Sequence, residues 1–208
     1  MNIIERIHQS YILQRRVEAL AAALSPFVPP NVSLLDVGCG DGLLANHVKN
    51  IAHAESVTGI DVFIRPKTHI PVIGFDGVHI PFPNGSFDAV MFVDVLHHTD
   101  DPLTLLREAA RVSRNLIVIK DHTMEGAFAE ATLRLMDRIG NRRHDVALPY
   151  NYWSRSRWLE AFKKLYVELL SWTNDVPLYP PPLSWIFGRS LHFIAQLRVP
   201  PKELQRTF

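Results

Sequence analysis

Apolar side chains recur every three or four residues along the first part of the chain. The positions in this stripe are Ile3, Ile4, Ile7, Tyr11, Val17, Leu20, Ala21 and Leu24. Such spacing predicts an amphipathic helix, which we expect to be interrupted between Ser10 and Leu13. Pro26, Pro29 and Pro30 then end the helical pattern, because proline cannot donate a helical hydrogen bond.

Short apolar runs alternate with helical stripes through the middle of the chain. The runs, predicted as strands, are Ser33–Val37, Ser56–Ile60, Pro71–Phe75, Phe87–Val93 and Leu116–Lys120. One predicted helix covers Leu43–Ala52, and another runs from Pro102 to Val112 behind a capping Asp101. Strands that alternate with helices in this way predict an α/β fold, a mostly parallel sheet with helices on both faces.

The pattern changes after the fifth predicted strand. Helical stripes at Glu125–Ile139 and Ser156–Lys164 enclose an aromatic and basic stretch, Asn141–Trp153. Leu165–Ser171 and Leu191–Val199 are predicted strands, with a proline-rich segment and no helical pattern between them. Two strands joined without a crossover helix are expected to pair as antiparallel neighbours.

The length of 208 residues fits a single well-packed domain. Hydrophobic residues make up 47% and charged residues 21%, a composition that argues against extensive disorder. We divide this domain into an N-terminal helical lid (1–30), a ligand-binding core (31–120), a helical insertion on the substrate side (121–164) and closing strands (165–208).

The balance of charge excludes some classes of partner. Lys and Arg number 22 against 21 for Asp and Glu, so the net charge of +1 provides no broad field for nucleic acid or an anionic membrane surface. The one cysteine, Cys39, excludes a disulfide framework, and no apolar stretch reaches the roughly 20 residues of a membrane-spanning helix. We expect a soluble cytoplasmic protein that binds neither nucleic acid nor membrane.

A glycine-rich turn links the first strand to the next helix. Gly38, Gly40 and Gly42 allow a ligand to approach backbone N–H groups and the positive end of the helix. Leu43 stands where a dinucleotide-binding turn carries its third glycine, and no Gly-Lys-Ser/Thr follows, which disfavours both dinucleotide and phosphate-binding loops. The alternative is a tight turn with no ligand.

Two carboxylates flank this turn. Asp36 lies at the carboxyl end of the first strand, where it would repel a pyrophosphate and attract a cation. S-adenosylmethionine carries a sulfonium and an ammonium group and therefore suits such a loop. Asp61 ends the second strand, about 20 residues beyond the turn, where doubly wound folds hold a ribose diol. The alternative for Asp61 is a capping or turn residue.

Five segments carry a family resemblance: Leu35–Gly42, Gly59–Asp61, Asp76–Pro83, Ser86–Val90 and Val95–His98. Together they resemble the class I S-adenosylmethionine-dependent methyltransferases, in the branch similar to the ubiquinone and menaquinone methyltransferases (the methyltransferase type 11 domain). All five come in the family's order. The resemblance implies a Rossmann-like doubly wound sheet of seven strands, mostly parallel with an antiparallel seventh strand, and S-adenosyl-L-methionine as cofactor.

The resemblance also implies roles for individual residues. The methionine part of the cofactor would be held by Asp36, Gly38, Cys39, Gly40 and Gly42. The remaining assignments are Asp61 to the ribose, Val62 or Phe63 to the adenine face, Asp76 and Gly77 to the adenine edge, and Asp94 to the position beside the methionine and the methyl group.

The chain departs from the family between Asp61 and Asp76, where a full helix is usual. Pro66 and Pro71 break this segment, which predicts a loop or a single turn in place of the helix. Asp76 is therefore a firmer assignment than Phe63.

Three histidines are candidate catalytic residues. Methyl transfer is an in-line displacement that an enzyme promotes mainly by positioning, and a general base is needed only if the acceptor loses a proton. His97 and His98 follow the fourth strand and His122 follows the fifth, so each could be this base, or could cap or pack instead. With Asp94 they could also ligate a divalent metal, but adjacent histidines point in different directions, so we expect no metal site.

The stretch before the sixth strand contains the candidate acceptor residues. Arg143, Tyr150, Tyr152 and Trp153 would suit a planar or acidic small molecule, although the loop could equally be exposed with its tryptophan anchored in the core. We expect an enzyme that methylates a small molecule. The alternatives are a non-catalytic S-adenosylmethionine-binding module and a nicotinamide oxidoreductase.

Overall fold

The computed structural model describes residues 3–140, 150–178 and 191–201. The helices in these ranges are α1 (Ile3–Leu24), α2 (Leu43–Ala52), α3 (Pro102–Val112), α4 (Ala129–Gly140) and α5 (Arg155–Lys164). The strands are β1 (Ser33–Val37), β2 (Ser56–Asp61), β3 (Val72–Gly74), β4 (Phe87–Val93), β5 (Ser113–His122), β6 (Glu168–Thr173) and β7 (His192–Arg198). The candidate acceptor residue Arg143 lies outside the described residues.

Seven strands of the described chain form one sheet in the order β3-β2-β1-β4-β5-β7-β6. β1 pairs in parallel with both β2 and β4, β2 pairs in parallel with β3, and β4 with β5. β7 is antiparallel to both of its neighbours, β5 and β6. The predicted fold class, a mostly parallel doubly wound sheet with an antiparallel seventh strand, is therefore confirmed.

Helices cover both faces of the sheet, since successive side chains of a strand point to opposite sides. Leu34 of β1 belongs to the same hydrophobic cluster as Val48 of α2. Its neighbour Leu35 belongs to the cluster that contains Leu105 of α3 and Trp158 of α5. One face is thus covered by α1 and α2 and the other by α3 and α5, which leaves the carboxyl ends of the strands for a ligand site.

Two local predictions had different outcomes. The interruption predicted between Ser10 and Leu13 is wrong, because α1 is one continuous helix over a stretch with neither Pro nor Gly to break it. The loss of the full helix between β2 and β3 is confirmed, and the segment that contains Pro66 and Pro71 is irregular.

The longer extent of β5 changes the site. The prediction ended this strand at Lys120, but the strand continues to His122 and pairs with β7 over its whole second half. Lys120, Asp121 and His122 are therefore fixed by strand pairing at the carboxyl edge of the sheet.

No helix in the described ranges combines the length and the hydrophobicity needed to cross a lipid bilayer.

Candidate active site

The glycine loop after β1 is tied to the carboxyl end of β2. The N–H groups of Gly38 and Cys39 donate to the carbonyl of Ile60 over 2.8 and 3.1 Å. Gly40 and Gly42 have φ angles of 60° and 76°, in the left-handed region that glycine adopts without strain. A side-chain carbon at Gly42 would collide with a neighbouring side chain, whereas nothing lies within 4 Å of the corresponding position at Gly40. The loop is packed at Gly42 and open at Gly40.

Asp61, at the end of β2, connects the glycine loop with the loop that follows β2. Its Oδ2 accepts the N–H of Gly40 over 2.7 Å, and its Oδ1 accepts the N–H of Phe63 over 2.9 Å. The carboxylate is therefore fixed beside the open part of the glycine loop. Each oxygen has two lone pairs, so a further donor such as a hydroxyl can still be accepted.

A cavity of about 460 Å³ opens at the carboxyl ends of β1, β2 and β4. Its walls include Gly38, Asp61, Val62, Asp76, Gly77, Val95 and His98. The strand order reverses between β1 and β4, and ligands of doubly wound sheets bind at such a switch point. Of the two candidates for the adenine face, Val62 belongs to the cavity wall, and Phe63 is exposed beneath the guanidinium of Arg65.

Asp76 lies on the cavity wall, and its carboxylate is hydrogen-bonded within its own turn. Oδ1 accepts the N–H groups of Val78 and His79 over 2.8 and 2.6 Å, and Oδ2 lies 2.7 Å from Nδ1 of His79. These bonds, led by the one from the His79 N–H, lower the pKa of Asp76 to about 2. Asp76 is thus an ionised acceptor whose orientation is set by its own turn.

Asp36 is a buried carboxyl group, with 3% of its surface exposed. Burial, and then the charge of nearby Asp61, raises the pKa of Asp36 to about 8. Negative charge on both residues is therefore unfavourable unless a cation is close. A cationic ligand would favour the ionised form of Asp36, whereas an anionic one would oppose it.

Asp94, the residue after β4, is held between two cations. Its φ of 56° is unusual for a residue with a side chain, and such strain is concentrated at functional sites. Nζ of Lys120 forms an ion pair with Oδ1, and a guanidinium nitrogen of Arg16 lies 3.6 Å from Oδ2. Burial alone would raise the pKa of Asp94, but the field of Lys120, with smaller contributions from His122 in its protonated form and from Arg16, holds it well below its usual range.

Asp121 organises the buried histidines beside this ion pair. Its Oδ1 lies 2.6 Å from Nδ1 of His97 and accepts the N–H of His122 over 2.7 Å, and its Oδ2 accepts the N–H of Leu96 over 3.0 Å. An ionised carboxylate can only accept, so Nδ1 of His97 carries the hydrogen. Sequence reasoning missed Asp121 and Lys120 as site residues. The available signal was their place at the carboxyl end of a parallel strand.

The three candidate histidines lie in different environments. His98 lines the cavity. His97 is 1% exposed, and its ring packs on that of Tyr152 with centroids 5.6 Å apart. His122 is 4% exposed, and burial lowers its pKa, so its imidazole is neutral at neutral pH. His122 therefore has the protonation state of a base, whereas His98 has the access to a ligand.

His97, Asp121 and His122 also form a set that could hold a metal ion, since one ligand atom from each lies within 4.8 Å of the others. The set differs from the one considered from the sequence, because Asp121 takes the place of Asp94 as the carboxylate and His98 is not part of it. The 2.6 Å separation of His97 Nδ1 and Asp121 Oδ1 is that of a direct charge-assisted hydrogen bond. This geometry favours a hydrogen-bonded network over a metal centre.

The described end of the candidate acceptor loop packs into the core. Tyr152 clusters with Leu133 of α4, and the ring of Trp153 lies 4.8 Å from that of Trp158. Both Tyr152 and Trp153 are about 95% buried, and Trp153 anchors this end of the loop to the core. Acceptor contacts by either residue stay predictions. Tyr150 is half-buried and retains access to solvent.

Sequence comparisons relate this chain to known methyltransferases. Residues 35–116 match the family model described as a methyltransferase domain. The chain is 26% identical over 170 residues to the ubiquinone biosynthesis O-methyltransferase of Sodalis glossinidius (strain morsitans), which covers 70% of this chain and 59% of that protein. It is 31% identical over 91 residues to the tRNA U34 carboxymethyltransferase of Nautilia profundicola, which covers 38% and 29% respectively. The chain thus spans less than two thirds of either relative.

A solved structure shares the fold over almost the whole chain. The methyltransferase in complex with the Haloferax volcanii Trm112 methyltransferase activator aligns with a TM-score of 0.70 at 15% identity, over 93% of this chain and 94% of that one. At this level of identity the likeness concerns the fold.

Proposed function

We propose that this chain, whose core belongs to the class I S-adenosylmethionine-dependent methyltransferases, transfers a methyl group to a small-molecule acceptor. S-adenosylmethionine is the cofactor of that family. The observation that carries the proposal is the acidic cavity at the switch point of the sheet. Asp61 and Asp76 lie on its wall, and Asp36 is buried close enough to Asp61 for their charges to interact.

The residues of the cavity fit this cofactor. A volume of about 460 Å³ lies within the usual range for small-molecule sites, and the open position at Gly40 leaves the backbone accessible. Asp36 favours a cation, which distinguishes a sulfonium cofactor from an anionic dinucleotide. We assign the methionine part to Asp36 and the loop Gly38–Gly42, with Asp94 beside it.

The adenosine half is assigned to the second and third loops of the cavity. Both oxygens of Asp61 are oriented by backbone N–H groups and can accept from a ribose diol. Val62 is 67% exposed on the cavity wall, which favours it over Phe63 as the residue that packs on the adenine face. Asp76 and Gly77 lie on the same wall, where an exocyclic amine could donate to the carboxylate.

The chain must position the acceptor and, for some acceptors, remove a proton from it. The cofactor supplies a methyl carbon that its sulfonium makes electrophilic. The chain holds the acceptor in line with that carbon and keeps water out. Neutral His122, next to Asp121 at the end of β5, is our candidate to take a proton from an acceptor that must lose one. His98 is placed to contact a ligand in the cavity.

A small molecule is the proposed acceptor because the net charge of +1 provides no broad attraction for nucleic acid. The names of the relatives include both a ubiquinone biosynthesis O-methyltransferase and a tRNA-modifying enzyme, so the test must separate these classes. In this proposal residues 1–30 act as a lid, since Arg16 of α1 reaches Asp94. Tyr150 is the described acceptor candidate with the most access.

Calorimetry followed by isotope transfer tests the proposal. We expect the chain to bind S-adenosylmethionine and its demethylated product, and the Asp61→Ala variant to bind both more weakly. Incubation with labelled cofactor and a metabolite extract should yield a small molecule that gains the labelled methyl by mass spectrometry, with bulk tRNA as a parallel acceptor.

Each outcome of this test has a separate meaning. A lack of cofactor binding by the wild-type chain would contradict the whole proposal. Label in tRNA alone would refute the small-molecule acceptor. Binding without any transfer would point to a non-catalytic binding module.

A further inference from the structure

Lys120 is a charged side chain that is completely buried. It lies two residues after Val118 on β5, and therefore on the face of the sheet that α1 and α2 cover. Removing an ammonium group from water is unfavourable unless other charges pair with it. The burial of Lys120 therefore depends on the polar groups that lie against its ammonium.

The partner of Lys120 is Asp94, through both the side chain and the backbone. Nζ of Lys120 pairs with Oδ1 of Asp94, and the N–H of Asp94 donates to the carbonyl of Lys120 over 2.9 Å. The ammonium also lies 3.2 Å from Nδ1 of His192 on β7. The loop after β4 is therefore fastened to β5 at the residue that we place beside the cofactor.

We propose that Lys120 is a positioning residue for methyl transfer, which holds the carboxylate of Asp94 toward the ligand site. This inference rests on the proposed function, in which Asp94 lies beside the methionine part of the cofactor. The side chain of Asp94 is 21% exposed and directly precedes Val95 of the cavity wall, whereas that of Lys120 is 0% exposed. Lys120 therefore cannot touch a ligand itself, and in this proposal it acts through Asp94.

The other groups around Asp94 cannot replace Lys120. The charged and titratable side chains that face it are Lys120, Asp121 and His122 of β5, His192 of β7 and Arg16 of α1. Burial lowers the pKa of both His122 and His192, so neither is a cation at neutral pH. Arg16 is 42% exposed, and solvent weakens its attraction for the carboxylate. Without Lys120, Asp94 would keep one cation, the partly exposed Arg16, at 3.6 Å.

The test measures the affinity of the whole chain for S-adenosylmethionine by calorimetry from pH 5.5 to 8.5. The variants are Lys120→Met, Asp94→Asn, the double variant and, as a control, Lys163→Met, which removes an exposed lysine of α5. We expect Lys120→Met to bind about tenfold more weakly or worse, with the deficit growing toward acid pH as Asp94 protonates more readily. The double variant should bind no more weakly than Asp94→Asn alone, because Lys120 acts through Asp94.

Several results would overturn this role. A folded Lys120→Met protein that binds like the wild type, or that is weakened equally at each pH, would show that Lys120 has only a structural role. If Lys120→Met does not fold, the test uses Lys120→Arg and the double variant. Lys120→Arg should bind S-adenosylmethionine within a few-fold of the wild type. A double variant that binds it more weakly than Asp94→Asn would contradict the proposal. Failure of the wild-type chain to bind the cofactor would instead refute the proposed function on which this role rests.

Discussion

At neutral pH the unliganded protein holds Asp36 mainly in its protonated form, because the pKa of this carboxyl is about 8. In the unfolded chain an aspartate titrates near pH 4. The folded state therefore binds this proton more tightly, and the stability it contributes is complete below about pH 4 and is lost as the pH rises toward 8. Within that window each pH unit lowers the free energy of unfolding by about 1.4 kcal/mol.

The Asp36→Asn variant should separate stability from ligand binding. We expect the unliganded variant to be more stable than the wild type at pH 8 and about equal at pH 4, because asparagine carries no charge to bury. Urea unfolding at both pH values measures this, with Asp175→Asn, an exposed site, as the control. The same Asp36→Asn variant should bind S-adenosylmethionine at least about tenfold more weakly, since it lacks the charge that a cation requires. A stability difference that does not change between pH 4 and 8 would contradict the assigned burial of charge.

The glycine loop between β1 and α2 offers a matched pair of substitutions at the scale of the element. Gly40→Ala and Gly42→Ala both place a side chain at positive φ, which costs about 1–2 kcal/mol. The new Cβ of Gly42→Ala would also lie 2.3 Å from Cγ1 of buried Ile70, so this variant should lose more stability in urea. Gly40→Ala adds no collision, and its Cβ enters the open space instead.

Calorimetry should rank these two variants in the other order. The comparison uses variants that are folded to the same extent as the wild type. Relative to its loss of stability, Gly40→Ala should lose more cofactor affinity than Gly42→Ala, because its methyl group occupies the ligand side of the loop. Equal affinity for S-adenosylmethionine in Gly40→Ala and the wild type would mean that the open space is not where the cofactor binds.

Elements with strong local signals could be predicted from the sequence. β4 and α3 begin and end where the apolar run Phe87–Val93 and the Asp101-Pro102 cap place them, because those signals depend on neighbouring residues alone. The role of Lys120 could not be predicted in this way. Its partner Asp94 is 26 residues away, and only the pairing of Val93 with Lys120 in the sheet brings the two together.

The whole molecule should be stabilised by its cofactor. A ligand at about one hundred times its dissociation constant adds about 2.7 kcal/mol to the free energy of unfolding, which for a chain of this length corresponds to about 5–10 °C in Tm. We expect such a shift with S-adenosylmethionine or its demethylated product and none with reduced nicotinamide dinucleotide. A shift with the dinucleotide alone would favour the oxidoreductase alternative.

The position of β7 has a consequence for how the chain is made. β6 leaves the ribosome before β7, yet among the described strands β6 forms backbone pairs with β7 alone. The strands β1 to β5 can therefore assemble as soon as they emerge, whereas β6 must wait without a hydrogen-bonding neighbour. His192, which lies against Lys120, arrives with the same late strand. The pairing of β6 with the sheet and the arrival of His192 beside Lys120 therefore both depend on β7.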